Sequence, residues 1–174
     1  MCRLAPGFTL TELMAVVAIA AILLGLAVPG MRSLVQSQQI TTAANDLLTA
    51  INLTRSEAIQ RGRRVDLVPA DGSHWNSGWL IFVDDNNNQV ADKGERIIHT
   101  RDALPADLTI KAKLTGTDDY IAYQGSGRTR TNASSQTPMA GTLSLAIGNH
   151  ERRIIINMMG RARVCNPQAK SNTC

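Results

Sequence analysis

Residues 7–30 read GFTLTELMAVVAIAAILLGLAVPG, and the fold follows from how this stretch is taken. From Leu13 to Val28 sixteen residues carry no charge, and counted from Phe8 the apolar segment has 21 residues. At about 1.5 Å per helical residue that length crosses roughly 30 Å of hydrocarbon. Glu12 breaks the pattern. A charge at the centre of a bilayer costs at least ~2.5–3.5 kcal/mol, so this carboxylate needs a partner or a job. An ordinary secretory signal places its small-residue cleavage site after the apolar run. Here Pro6-Gly7 punctuate the chain before that run, and no polar mature start follows it. The segment reads as a membrane helix that stays with the protein, with Arg3 on the cytoplasmic side.

Gly7-Phe8-Thr9-Leu10-Thr11-Glu12-Leu13 resembles the class III signal of type IV pilins and type II secretion pseudopilins. The resemblance implies that a membrane prepilin peptidase cuts after Gly7 and N-methylates Phe8, the first mature residue. It implies that Glu12 meets the N-terminal ammonium of a neighbouring subunit. Buried opposite charges are tolerable when paired, and removing one partner costs ~3–5 kcal/mol, so this pairing would select register during assembly. It further implies a single-pass inner-membrane precursor that later enters a fibre crossing the periplasm to the outside. The partners expected on this basis are other pilins and minor pilins, the peptidase and the inner-membrane assembly machinery.

The totals agree with a two-part chain. Hydrophobic residues make up 44% of the 174, yet aromatics only 3%, so the core must be aliphatic. The net charge of +4 is unevenly spread. Residues 65–119 have a balance of −5, and residues 120–174 a balance of +6, with Glu151 the one acid against seven cations. Such asymmetry marks either an anionic partner for the C-terminal third or strands with solvated faces. Cys2 falls in the expected leader. Cys165 and Cys174 close a short terminal loop and read as a disulfide in an oxidising compartment, with a reduced pair as the alternative.

Beyond the apolar run, Pro29-Gly30 predicts a kink or locally melted turn. Ile40, Ala44, Leu47, Ile51 and Ala58, with Ala43 and Leu48 beside them, then recur at helical spacing. Gly62 caps the helix after Arg61. Short strands follow, expected at 64–69, 78–84, 96–99, 108–113, 119–123, 142–147, 153–158 and 161–165. The expected organisation is a leader over 1–7, a transmembrane and assembly helix over 8–35, an amphipathic helix over 36–62, and a β-rich head over 63–174. This is an α+β chain of the pilin fold: a long N-terminal helix, its first half transmembrane, packed on an antiparallel β head. The stretch SGWLIFVDDNNNQVADKGERII and the later GRARVC resemble the head of the GspH/FimT group of pilins, FimT-like or FimU-like.

Three candidate sites stand out. Asp84, Asn86, Asn88, Val90, Asp92 and Glu95 have the 1, 3, 5, 7, 9, 12 spacing of a calcium loop. Gln89 holds the position where glycine permits the sharp turn, however, and the flanks are strand-like, so a polar hairpin loop and no metal is the preferred reading. His74, His99 and His150 are scattered, no nucleophile or phosphate-loop motif is present, and neither an enzyme nor a cofactor is expected. Gly160-Arg161-Ala162-Arg163 resembles the Gly-Arg-x-Arg element of FimT-type minor pilins that bind DNA during natural transformation. Two arginines two apart on a strand point the same way, and guanidinium forks suit phosphate oxygens. Arg152, Arg153, Arg128, Arg130 and Lys170 would widen the patch towards double-stranded DNA. The alternatives are arginines that pair with local acids, and a GspH-like pseudopilin of a type II secretion system in place of a minor pilin.

Overall fold

The computed structural model describes residues 7, 9–117, 119–169 and 174, without the side chains of 24 and 26–30, and in it helix α1 runs over Leu10–Arg61. The helix starts on a capping box. The Thr9 backbone N–H and hydroxyl donate to Glu12 Oε2 at 2.9 and 2.8 Å, and Glu12 N–H donates back to Thr9 Oγ1 at 3.3 Å. The helix ends where expected. Gly62 takes φ 64 and donates to the Ile59 carbonyl, and Arg61 pairs with Glu57 at 2.7 Å. The expected melting at Pro29-Gly30 does not occur, since both residues stay within α1. One proline removes one backbone bond, and the rest of the ladder keeps the helix.

The chain divides into two compact units, one up to Ser37 and one from Gln38. In the first, Leu13, Met14, Val16, Val17, Ile19, Ile22 and Leu23 are all exposed. Among the described residues no helix is long and apolar enough to cross a membrane. The apolar run of the sequence includes positions 8, 24 and 26–28, where side chains lie outside the described ones.

In the second unit the helical stripe is buried as its spacing predicts. Ile40, Ala44, Leu47, Ile51 and Ala58 are fully enclosed, with Ala43 and Ala50 nearly so. Thr54 lies on the same stripe and returns its hydroxyl to the Ala50 carbonyl at 2.7 Å. The described residues of the head form the strands β1 (Val65–Pro69), β2 (Trp79–Val83), β3 (Ile97–Arg101), β4 (Thr109–Leu114), β5 (Ile121–Tyr123), β6 (Thr129–Arg130), β7 (Gly141–Ile147), β8 (His150–Ile156) and β9 (Ala162–Cys165). They form two antiparallel sheets, ordered β3-β2-β1-β5-β6 and β4-β7-β8-β9. Strand β6 and a 3-10 turn over Trp75–Ser77 were not evident in the sequence pattern, whereas β5 falls within the expected 119–123. Strand β8 begins at His150, three residues before the expected start, because Gly148-Asn149 makes a two-residue turn that pairs Ile147 with His150.

The core is aliphatic, with a few large rings. Leu67, Ile81, Ile121 and Tyr123 from the first sheet and Leu143, Leu145 and Ile154 from the second are fully buried. Gly78 joins the 3-10 turn to β2 at φ 93, and a Cβ there would lie 2.1 Å from the Arg101 carbonyl oxygen at the end of β3. Both the backbone conformation and the space exclude a side chain. Gly78→Ala is expected to destabilise the chain by about 1–3 kcal/mol or more, read as a lower thermal midpoint. An unchanged midpoint would contradict this packing.

Candidate nucleic-acid interface

The second sheet separates its side chains by register. Ile110, Leu145 and Arg152 form one row, and Ala112, Leu143, Ile154 and Val164 the next, all on the side where the core leucines and isoleucines are buried. The opposite face carries Lys111, Ser144, Arg153 and Cys165 in one row and Lys113, Thr142, Ile155 and Arg163 in the row beside it. Neighbouring strands lie about 4.8 Å apart and alternate residues about 6.8 Å apart along a strand. Four cations therefore share a face of roughly 14 by 7 Å. Glu151 is the acid beside them, paired with Arg153 at 2.8 Å. Lys111 and Lys113 were missed in the sequence. Their alternation with Leu108 and Ile110 carried the signal, but only the pairing of β4 with β7 brings them towards Arg153 and Arg163.

The other expected cations disperse. Arg152 sits on the core-side row and reaches the helix, where Nη2 lies 3.5 Å from Thr41 Oγ1. Arg128 and Arg130 belong to the β5–β6 hairpin of the other sheet, with Arg128 exposed in its turn. Arg130 Nε donates to the Thr131 carbonyl. Arg161 is exposed just before β9, two residues from Arg163. Lys170 lies outside the described residues. Cys165 and Cys174 form a disulfide with Cα atoms 5.7 Å apart, which ties the chain terminus to the outer face of β9.

Loop 84–95 takes up its own oxygens. Asp84 accepts the N–H groups of Asn87, Asn88 and Gln89, and Asp92 accepts the side-chain amides of Asn86 and Asn88. Glu95 accepts the N–H groups of Asp85 and Asp92. Asn87 and Gln89 both adopt φ 65, so Gln89 makes the turn that glycine would make more easily. Val90 donates to Asn88 Oδ1. Among the described residues no cluster of acidic, His or Cys side chains is placed to hold a metal.

Asp84 is buried because Arg64 is buried. The Arg64 guanidinium forks onto Asp66, lies 3.2 Å from Asp84, and donates to Asn87 and Asn132. It also lies over the Tyr120 ring at 5.8 Å. Two carboxylates share one cation out of water. Burial first, and then neighbouring Asp84, raise the Asp66 carboxyl to about 7 against the pull of Arg64. This cluster joins the 84–95 loop to the loop at 132.

At the N-terminus, Gly7 is exposed and free of close neighbours. Phe8 lies outside the described residues. Glu12, expected only as an intersubunit partner, also initiates its own helix, and Thr9 three residues earlier was the unread signal.

Comparison with known proteins gives two family matches. A model described as type II transport protein GspH covers residues 43–160, and a prokaryotic N-terminal methylation motif covers residues 3–28. The pilin-like protein PilA1 of Thermus thermophilus is 31% identical over 162 residues, 91% of this chain and 97% of that protein. The crystal structure of the type IV minor pilin FimU from Pseudomonas aeruginosa superposes with a TM-score of 0.57 at 18% identity, covering 76% of this chain and 95% of FimU. The minor pseudopilin EpsH of the Vibrio cholerae type 2 secretion system superposes with a TM-score of 0.53 at 16% identity, covering 75% of this chain and 99% of EpsH.

The Asp66 environment gives a signed pH dependence. The carboxyl titrates near 3.8 when unfolded and near about 7 when folded, so folding takes up a proton between these values. Its contribution to stability is complete below 3.8 and is lost as pH rises through about 7. The lost share is at most about 4 kcal/mol. Asp66→Asn should flatten the fall in unfolding free energy between pH 4 and 8. A variant with the full wild-type slope would show that the proton is not held there.

Proposed function

The chain belongs to the GspH family of minor type IV pilins and pseudopilins, structural subunits rather than enzymes, and from that premise we propose that it is a minor type IV pilin whose head binds double-stranded DNA. It is made as a prepilin, cut after Gly7 and methylated at Phe8. Residues 8–35 hold it in the inner membrane until it joins other pilins near the tip of a fibre. The 31% identity to a pilin-like protein over nearly the whole chain supports the pilus. The family name GspH and the likeness to EpsH favour the second reading, a pseudopilin of a secretion system. A gene deletion that abolishes surface fibres and leaves secretion intact supports the first, and the reverse supports the second.

The observation that carries DNA binding is the register of the second sheet. Lys111, Lys113, Arg153 and Arg163 occupy one face, Arg161 extends it, and Thr142 and Ser144 lie between as neutral hydrogen-bonding groups. Duplex DNA presents one negative charge per about 1.7 Å of axis, so several phosphates fit the width of this sheet. Contacts of this type carry no sequence information and release counterions. The head offers no row of exposed aromatic rings on that face, and base stacking on a single strand is not its chemistry.

Two tests follow. The full-length protein in detergent should bind a 30-base-pair duplex in a gel-shift assay, and Arg161→Gln with Arg163→Gln should weaken binding about tenfold or more. The slope of log affinity against log salt should fall by about 2 in that variant. Absence of a wild-type shift at 50 mM salt rejects the reading. For assembly, Glu12→Gln keeps the hydrogen bonds of the capping box but removes the charge. If the charge pairs with a neighbour, the variant should insert in the membrane and be depleted from fibres; normal incorporation would leave Glu12 as a helix cap alone.

A further inference from the structure

The turn between β8 and β9 displays two large apolar side chains in water. Met158 is 64% exposed and Met159 54%. The turn cannot fold them away, because its backbone is held from two sides. Within the turn, the Asn157 carbonyl accepts the Gly160 N–H at 2.9 Å, and Asn157 Oδ1 accepts the N–H groups of Met159 and Arg161 at 3.0 and 2.9 Å. From below, the buried Tyr123 hydroxyl donates to the Gly160 carbonyl at 2.8 Å. Gly160 has φ 77, and a Cβ there would lie 2.8 Å from the Tyr123 ring and 2.9 Å from the Gly127 carbonyl oxygen. The methionines are therefore presented on a rigid base.

Their surroundings define a partner. Arg161 follows the pair after Gly160, Arg163 stands on the next strand, and Arg128 sits in the turn that touches Gly160. An apolar tip ringed by guanidinium groups fits an anionic molecule with an apolar interior. Duplex DNA and an anionic lipid surface share that description, and continuity with the cationic face of the second sheet through Arg161 and Arg163 favours DNA. The neighbouring Gly127 turn packs against Ile59, near the C-terminal end of α1. Unbranched methionine, with its polarisable sulfur, suits insertion between flat base pairs, and apolar wedges of this kind unstack single base steps from the minor groove.

We propose that Met158 and Met159 form a wedge that enters the minor groove of duplex DNA at one base step, while Arg161, Arg163 and Arg128 hold the flanking phosphates. The proposal rests on the reading of this head as DNA-binding and adds how the DNA is engaged. Flexible pyrimidine–purine steps should be preferred, because they open most easily. The wedge also distinguishes DNA from a polyanion without bases.

The test uses the full-length protein held in nanodiscs of zwitterionic lipid with three probes: a duplex carrying 2-aminopurine at a central TA step, heparin, and vesicles of anionic phospholipid. The wild type should raise 2-aminopurine fluorescence as the step unstacks. Met158→Ser with Met159→Ser should lower duplex affinity about tenfold and abolish the fluorescence change, with heparin affinity, salt slope and thermal midpoint unchanged. Met158→Leu with Met159→Leu should restore both duplex readouts. If the serine variant binds duplex as the wild type does, the wedge is overturned while DNA binding stands. If it loses vesicle binding and keeps duplex binding, the tip is a membrane contact and the proposal falls. If the wild type binds no duplex at all, both the wedge and the function it rests on are rejected.

Discussion

One helix has to satisfy two solvents, and the rest of the molecule is arranged around that demand. From Gln38 to Arg61 it is apolar on one face, and that face is covered by the head. From Leu13 to Val28 the sequence carries no charge, and Leu13, Met14, Val17, Ile22 and Leu23 are exposed. A helix apolar on every side is stable only in lipid or inside a bundle of other helices. The head needs neither, because its core is complete. The same helix thus belongs to a folded domain at one end and exposes its apolar side chains at the other.

In the head, the division between structure and proposed function is made by β register. The second sheet has two faces and one pairing. Leucine and isoleucine on one side build the core with α1, and lysine and arginine stand on the other. A slip of one residue would exchange the two sets. The disulfide from Cys165 to Cys174 secures the outer strand of this sheet, the one that bears Arg163. The first sheet solves a different problem. Arg64, Asp66 and Asp84 bury charge together, and their mutual hydrogen bonds leave each with partners. Breaking one member would strand the others, so the cluster fixes the 84–95 loop more than it adds net stability.

Much of this was legible in the residues. The helical stripe from Ile40 to Ala58, the stop at Gly62, the cysteine pair and the positions of most strands along the chain follow from spacing and turn residues. What was not legible depended on pairing between distant segments. Arg152 and Arg153 are adjacent in sequence and point to opposite faces. Lys111 and Lys113 looked like part of an acidic stretch until pairing with β7 placed them on the face that carries Arg153 and Arg163. Strand β6, two residues long, is too short to leave a periodic pattern. The Asx-rich loop had the spacing of a cation site, yet the side chains of Asn86, Asn88 and Glu95 are used by the loop itself. Thr9 with Glu12 was a readable capping box that was masked by the stronger membrane signal around it.

The proposed assembly depends most on processing at the N-terminus, since on this reading the helix enters a fibre after its leader is removed. Intact-mass and N-terminal peptide measurement on protein isolated from its native cells tests this directly. The account predicts a chain that begins at Phe8 and carries one added methyl group on its amino terminus. A chain that retains Met1, or one cut beyond Val28, would contradict it.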